Sequence, residues 1–186
     1  MSSERPKLSI IGTGYLGTTH AVCMVELGYE IVAVDVDPKK IAKLSAGELP
    51  FYEPGLDEPL RKHTGNPALR FTTSYEEVAE FADVHFVCVG TPQKKGEYAA
   101  DLRYVESAFT SLAPHLTRKA LVVGKSTVPA GTAAAMEKLM RTLTPSKEPL
   151  GRSIGGELTS LDSAAFGVEV SYPARRRAAH RSMSSC

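Results

Sequence analysis

The chain has 186 residues, of which 42% are hydrophobic, and its formal net charge at pH 7 is +1. This composition suits a soluble domain with its own core, and no apolar run reaches the roughly 18 residues that would span a bilayer. The first ten residues, "MSSERPKLSI", also lack the apolar stretch of a signal peptide. We therefore expect a cytoplasmic protein without a membrane partner.

Cysteine usage predicts neither a disulfide framework nor a metal site. The three cysteines, Cys23, Cys88 and Cys186, lie far apart along the chain, and an odd number without close spacing fits neither arrangement. Cys23 and Cys88 lie inside apolar runs. We therefore predict that both are buried, unreactive thiols.

Charge is concentrated at the C-terminal end. Residues 171–186 hold four arginines and no acidic residue, and their small apolar surface predicts a disordered basic tail. Arginines there would attract any polyanion weakly and in a salt-dependent way. However, Tyr172 is the one aromatic residue that could stack on a base, so we expect no nucleic-acid partner.

Strands and helices alternate in the first half of the sequence. "KLSIIG" predicts a strand, and "YLGTTHAVCMVELG" predicts a helix that ends at Gly28. "YEIVAVDVD" predicts the second strand, and "PKKIAKLSAG" a helix that begins at Pro38 and ends at Gly47. The inward face of the first helix is predicted from the spacing of four apolar residues, Leu16, Ala21, Val22 and Val25.

The alternation continues to residue 172. "LRFTTS", "DVHFVCVG", "ALVVGKSTV" and "FGVEVSY" predict strands. "SYEEVAEFA", "DLRYVESAFTSLAPHL" as far as Pro114, and "AGTAAAMEKLMRTL" predict the helices between them. Two segments interrupt this order: the proline-rich insertion "LPFYEPGLDEPLRKHTGNP", with room for one short helix, and a Gly/Ser/Pro-rich loop at about 144–165.

The predicted strands are continuous apolar runs rather than alternating ones. Strands of this kind are covered on both faces, which is typical of a parallel sheet with helices on each side. We therefore predict an α/β fold with a doubly wound, mainly parallel sheet. Its domain would span residues 1–170, and residues 171–186 would form the tail.

The stretch "IIGTGYLG" places Gly12, Gly14 and Gly17 between the first strand and the first helix. In a dinucleotide-binding turn, the first glycine permits the tight bend and the second lets the backbone approach a pyrophosphate. The third lets the helix pack closely on the strand. The amides and dipole at the helix N-terminus would then favour the phosphate charge.

The acidic residue expected about 20 residues after such a turn is Asp35, near the end of the second predicted strand. Its carboxylate could accept hydrogen bonds from both hydroxyls of the adenosine ribose. It would also repel a 2′-phosphate, because like charges about 4 Å apart cost several kcal/mol at intermediate dielectric. This predicts NAD rather than NADP. The alternative is a structural glycine turn with a surface aspartate.

Two further turns follow predicted strands, "VGTP" and "GKSTVP". Ligands of open α/β sheets collect beyond the carboxyl ends of the strands, so Thr91 and Thr127 are candidates for the nicotinamide side of the pocket. The alternative is that these hydroxyls cap the following helices. Four histidines have no partner at an interpretable spacing, and each is expected to lie at the surface or to pack in the core: His20, His63, His85 and His115.

Together, "IIGTGYLG", "VDVDPKKIAKLSAGELPFYEPGL", "VCVGTP" and "KSTVPAGT" resemble the NAD-binding domain of the UDP-glucose/GDP-mannose dehydrogenase family, and of its UDP-glucose 6-dehydrogenases in particular. The resemblance covers about Lys7 to Leu143. Its most specific element is "PFYEPGL", Pro50 to Leu56. It implies a Rossmann-type fold and homo-oligomers that act in polysaccharide biosynthesis. These enzymes oxidise the C6 alcohol of UDP-glucose to UDP-glucuronate with two NAD, through a thiohemiacetal on a cysteine.

The resemblance also assigns site residues. It implies that the pyrophosphate is held by Gly12, Gly14, Tyr15, Leu16 and Gly17. It implies that Asp35 and Lys40 hold the adenosine ribose. Thr91 and Thr127 would line the nicotinamide side, and Thr127 is the one candidate for a catalytic role.

The sequence departs from the family after "GVEV". The family continues with an Asn-Pro-Glu-Phe segment whose glutamate takes part in catalysis, and later with the motif of the nucleophilic cysteine. Here the chain reads "SYPARRRAAHRSMSSC". We therefore expect the NAD-binding portion of such an enzyme without its catalytic half, inactive alone. The alternative is a stand-alone NAD-binding or regulatory module.

Overall fold

A computed structural model of the chain describes residues 5–96, 99–144 and 166–170, the last range as backbone only. The basic tail at 171–186 lies outside the described residues. The predicted loop at about 144–165 also lies outside them, apart from Thr144. The boundaries of the domain therefore stay a prediction.

The described residues contain six strands and six helices, close to the predicted order. The strands are β1 (Leu8–Ile11), β2 (Ile31–Val34), β3 (Leu69–Thr72), β4 (Val84–Val87), β5 (Ala120–Gly124) and β6 (Phe166–Val170). The helices are α1 (Tyr15–Glu26), α2 (Pro38–Ser45), α3 (Asp57–Lys62), α4 (Tyr75–Phe81), α5 (Arg103–Leu112) and α6 (Thr132–Leu143). A 3-10 turn, Ala113–His115, follows α5.

The six strands form one sheet in the order β3-β2-β1-β4-β5-β6. The first five strands in this order run parallel, and β6 pairs antiparallel with β5. Ile10 in the centre of the sheet pairs with Ala33 on one side and Phe86 on the other. The predicted mainly parallel sheet is confirmed. Strand order reverses between β1 and β4, which opens a crevice at their carboxyl ends.

Each face of the sheet has its own core. On one face, Ile10 and Ala33 pack with Val22 of α1 and Leu44 of α2. On the other face, neighbouring strand residues pack with α4, α5 and α6 in a cluster that includes Ile11, Val34, Val78, Phe109 and Met140. Successive strand residues therefore belong to opposite cores, as the continuous apolar runs predicted.

Local signals explain where several elements begin and end. The side chain of Asp37 accepts hydrogen bonds from the amides of Lys39 and Lys40, and Pro38 is the first residue of α2. Gly28, with φ of +84°, follows α1. Helix α5 ends at Leu112, and Pro114 lies in the 3-10 turn that follows, as expected of a residue that cannot continue the α-helical hydrogen bonds.

The predicted inward face of α1 is wrong at Leu16, and Cys23 is exposed rather than buried. The buried residues of α1 are Gly17, Thr18, Ala21, Val22 and Val25. The apolar run in this helix is longer than one face, so part of it must point away from the sheet. Cys88, in contrast, is buried as predicted, at 6% exposed.

The insertion after α2 packs against the α1 side of the sheet. It contains the expected short helix, α3, and its side chains Leu56 and Leu60 are 6% and 1% exposed within the core that α1 and α2 share. The segment is therefore attached to the domain by its own apolar contacts. None of the helices in the described ranges is long and apolar enough to cross a membrane.

Candidate functional site

The turn between β1 and α1 requires glycine at two of its three positions, and the third glycine leaves space beside the backbone. Gly12 has φ of +94° and donates its amide to the carbonyl of Val34 at 2.8 Å, a backbone conformation that favours glycine. A Cβ at Gly17 would lie 1.8 Å from the carbonyl oxygen of Gly12. A Cβ at Gly14 would meet no atom within 4 Å, so the backbone there faces open space.

Helix α1 begins at this turn without a capping side chain. Gly14 is its N-cap residue, with φ of −75°, and provides no side-chain hydrogen bond to the first turn. The first amides of an α-helix have no partner within the helix, and the helix dipole adds partial positive charge at this end. The start of α1 is therefore suited to an anionic group such as a phosphate.

Asp35 follows β2 and is bound from several directions. Its Oδ2 accepts hydrogen bonds from the amide of Thr13 at 2.8 Å and from the Thr13 hydroxyl at 2.9 Å. The ammonium of Lys40 lies 2.8 Å from the same oxygen, and the amide of Asp37 donates to Oδ1 at 3.1 Å. The carboxylate thus joins the glycine turn to the start of α2.

These contacts keep Asp35 ionised. Burial is the largest influence on its pKa and acts to raise it, since the side chain is only 8% exposed. The hydrogen bonds from Lys40, Thr13 and Asp37 together outweigh burial and lower the pKa below its ordinary value of 3.8. A negative charge therefore stands at the end of β2 at neutral pH.

The glycine turn and Asp35 open into a cavity of about 270 Å³. It lies at the carboxyl ends of β1, β2 and β4, between the starts of α2, α4 and α5. Its lining includes Gly12, Gly14, Asp35, Lys40, Tyr75 and Tyr104. The structure therefore brings four of the predicted site residues to one cavity, at the place where the strand order reverses.

Thr91 and Thr127 lie together beyond β4 and β5. The hydroxyl of Thr91 donates to the carbonyl of Thr127 at 2.9 Å, and the hydroxyl of Ser126 donates to the carbonyl of Val89 at 2.6 Å. The alternative that these threonines cap helices is wrong, since the N-cap residues of α5 and α6 are Leu102 and Gly131. Neither threonine is among the described residues that line the 270 Å³ cavity.

Cys88 lines the same cavity but is not a candidate nucleophile. Burial raises the pKa of its thiol to about 12, and the nearby Lys125 offsets only part of that effect. The thiolate is the reactive form of cysteine. At neutral pH the side chain therefore behaves as a small apolar group.

Three histidines have structural contacts. His85 is fully buried, with Nδ1 2.7 Å from the Ser9 hydroxyl. His63 lies 2.5 Å from Glu26 and thereby joins α3 to α1, beside a separate cavity of about 390 Å³. His20 packs edge-on against Phe86, with ring centroids 4.7 Å apart. These contacts, together with the exposed position of His115, agree with the surface or core packing expected for histidines without a motif.

Several site residues were missed by the sequence analysis. Thr13 had a usable signal, because it is the one side chain between Gly12 and Gly14 and could be expected to bond the neighbouring strand end. Tyr75 and Tyr104 had none, since they reach the cavity from α4 and α5 only once the sheet has assembled.

The strand order, the glycine turn at the reversal point and the acid after β2 define a Rossmann-type dinucleotide-binding domain. Residues 6–155 match the family described as "UDP-glucose/GDP-mannose dehydrogenase family, NAD binding domain". The chain belongs to this family, and the cofactor of the domain is NAD.

Curated relatives with similar sequences include two UDP-glucose 6-dehydrogenases. The one from Rhizobium meliloti is 38% identical over 142 residues, which cover 76% of this chain and 32% of the relative. The one from Bacillus subtilis is 42% identical over 125 residues, which cover 67% of this chain and 28% of the relative. The chain thus spans about a third of the length of these proteins.

Solved structures agree with this assignment. A UDP-glucose dehydrogenase from Pyrobaculum islandicum superposes with a TM-score of 0.72 at 38% identity, covering 76% of this chain and 34% of that one. A GDP-mannose dehydrogenase from Pseudomonas aeruginosa superposes with a TM-score of 0.71 at 34% identity, covering 76% of this chain and 33% of that one. The likeness therefore extends from sequence to the arrangement of the sheet and helices.

Proposed function

We propose that this chain is the NAD-binding portion of a cytoplasmic UDP-glucose 6-dehydrogenase, whose whole form oxidises UDP-glucose to UDP-glucuronate with two NAD. The observation that carries the proposal is the uncapped, glycine-bounded start of α1 beside the ionised Asp35. Relatives named UDP-glucose 6-dehydrogenase, such as those from Rhizobium meliloti and Bacillus subtilis, support this substrate over other nucleotide sugars.

The residues present fit a dinucleotide. The open space at Gly14 would let the pyrophosphate approach the amides of Tyr15 and Leu16, while Gly17 keeps α1 close to the turn. Asp35 would accept hydrogen bonds from the adenosine ribose, and Lys40 would donate a hydrogen bond to the same ribose. When bound, NAD supplies the acceptor for a hydride.

The contacts of Thr13 and Asp37 support the preference for NAD over NADP. Both residues bind the carboxylate of Asp35 independently of Lys40. The negative charge would therefore stay in place if Lys40 turned toward the ribose, and it would repel a 2′-phosphate. Lys40 would offset part of that repulsion, because its ammonium lies beside the same carboxylate.

Thr91 and Thr127 are proposed for the nicotinamide side. The hydrogen bond from the Thr91 hydroxyl to the backbone carbonyl of Thr127 fixes the two loops that follow β4 and β5 relative to each other. The hydroxyl of Thr127 is the candidate to contact a reacting group.

The 186-residue chain by itself is proposed to bind NAD without oxidising UDP-glucose. Catalysis requires groups that stabilise the transition state more than the ground state, and this reaction needs a base and a thiol in addition to the hydride acceptor. Among the described residues, Cys88 has a pKa of about 12, and Cys23 lies outside the lining of the 270 Å³ cavity. Cys88 is therefore excluded from this role by its pKa, and Cys23 by its position.

The test combines binding and turnover. The purified chain should bind NADH in a calorimetric titration and should produce no NADH from NAD and UDP-glucose, as followed by absorbance. Absence of NADH binding would contradict the proposal. Turnover by the unmutated chain would contradict the assignment of the chemistry to the rest of the enzyme, and changing Cys23, Cys88 and Cys186 to serine would show whether a thiol of this chain takes part.

A stand-alone NAD-binding or regulatory module is the second candidate. It is favoured by the two apolar cores and the cavity, which the described residues build without another chain. An experiment that adds the C-terminal two thirds of the Rhizobium meliloti relative to this chain, and then measures turnover of UDP-glucose, separates the two candidates. Restored turnover would support the dehydrogenase portion, whereas tight NADH binding without restoration would support the module.

A further inference from the structure

Two contacts hold the glycine turn and the start of α1. Asp35 binds the turn through Thr13 on the side of β2. At the start of α1, the ring of Tyr15 packs against the ring of Phe51, with centroids 4.4 Å apart and planes inclined by 44°. The second contact comes from the insertion after α2, a segment that no cofactor role has so far included.

The turn needs such a restraint because its own sequence provides little rigidity. Three glycines lie within six residues, and glycine loses more conformational freedom on ordering than any other residue. The N-cap position of α1 is itself a glycine and contributes no side-chain hydrogen bond. Tyr15, the first residue of α1, is 58% exposed, so its ring depends on Phe51 for a defined position.

Phe51 is fixed to the body of the domain. It packs partly buried against the core beneath α1, together with Leu49 of the same segment. Leu56 and Leu60, which follow it, are almost fully buried in that core. A ring anchored in this way can transmit the rigidity of the core to Tyr15. The adjacent Tyr52 is 82% exposed and has no comparable anchor among the described residues.

We propose that Phe51 is a positioning residue for the dinucleotide: by packing against Tyr15 it fixes the first turn of α1, whose amides receive the pyrophosphate. The inference rests on the proposed function, because it assumes that NAD occupies the glycine turn. It assigns the insertion to the cofactor site, where it preorganises the backbone that faces the phosphates.

The test compares two neighbouring aromatic residues in the 186-residue chain. Phe51→Ala should weaken NADH binding about three- to tenfold, the effect of losing one aromatic pair. Tyr52→Ala is the matched control and should change the dissociation constant less than twofold. Phe51→Tyr keeps the ring and should retain wild-type affinity.

Adenosine separates positioning from general damage to the fold. It occupies the ribose side and lacks the phosphates, so Phe51→Ala should leave adenosine binding, measured by NMR titration, unchanged. The double variant Tyr15→Ala/Phe51→Ala should bind NADH no more weakly than the weaker single variant, because both changes remove the same contact.

The outcomes are distinguishable. The positioning role would be overturned if Phe51→Ala left NADH affinity unchanged. It would also be overturned if this variant lost NADH affinity and adenosine affinity in parallel. Additive effects of the two alanine changes would also overturn it. Failure of the unmutated chain to bind NADH would instead contradict the proposed function.

Discussion

Thr13 donates both its amide and its hydroxyl to a single oxygen of Asp35, at 2.8 and 2.9 Å. The glycine turn and the end of β2 are therefore joined through one buried carboxylate. Because Thr13 is fully buried and Asp35 is 7% exposed, these hydrogen bonds are shielded from competing water. The position of the charge at the cavity is thus set by the turn itself.

Changing Asp35 and Lys40 should shift cofactor preference in opposite directions. Asp35→Ala should weaken NADH binding by about tenfold, the effect of losing a hydrogen bond to a charged group, and should narrow the preference for NADH over NADPH. Lys40→Met should weaken the binding of both cofactors and widen the preference for NADH over NADPH. Calorimetric titrations with NADH and NADPH measure these ratios, and equal affinity of the unmutated chain for both cofactors would contradict the role of Asp35.

The second and third glycines should respond differently to alanine. Gly17→Ala should lower the melting temperature by many degrees, because its Cβ would lie 1.8 Å from the carbonyl oxygen of Gly12. Gly14→Ala should leave the melting temperature nearly unchanged, since no atom lies within 4 Å of the new Cβ. It should nevertheless weaken NADH binding, because the methyl group would occupy the space of the pyrophosphate.

Thermal melting with and without NADH measures both effects. A Gly14→Ala variant that retains full affinity would show that the open space at this position is not used by the ligand.

His85 should make the stability of the protein depend on pH. Burial, and to a lesser extent Arg118, lowers its pKa from 6.5 to about 4. Between pH 6.5 and pH 4 the unfolded chain binds a proton that the folded chain does not. As far as His85 is concerned, the free energy of unfolding is therefore highest above pH 6.5 and falls toward pH 4. The loss should be on the order of 3 kcal/mol at 1.36 kcal/mol per pKa unit.

The double variant Ser9→Ala/His85→Phe isolates this contribution. It removes the imidazole and also the hydroxyl that would be left without its partner at 2.7 Å. Urea unfolding from pH 7 to pH 4 should show a shallower pH dependence in the variant than in the wild type. Identical slopes would show that His85 titrates normally in the folded protein.

The two described cysteines should differ in reactivity. Cys23 is exposed on α1, whereas Cys88 is buried and its pKa is raised to about 12. Iodoacetamide at pH 8 should therefore alkylate Cys23 in the folded protein and leave Cys88 unmodified, because the thiolate is the reactive form. Peptide mass spectrometry locates the label, and denatured protein, in which both react, provides the control.

Much of the site could be predicted because its signals are local. Glycines 12, 14 and 17 between a strand and a helix, and an acid after the next strand, follow from the backbone that such a turn requires. The role of Asp35 in disfavouring NADP remains a prediction, because it depends on how Lys40 and a bound ribose share the carboxylate.

The sequence by itself determined the α/β class, the order of elements and the residues of the glycine turn, since apolar runs and turn residues act within short segments of the chain. Only the tertiary structure decided that Cys23 and Leu16 point away from the sheet, that Tyr75 and Tyr104 reach the cavity, and that Phe51 meets Tyr15. Each of these depends on how a helix is rotated and on which distant segments the sheet brings together. Those are properties of packing between elements, and no single segment of the sequence encodes them.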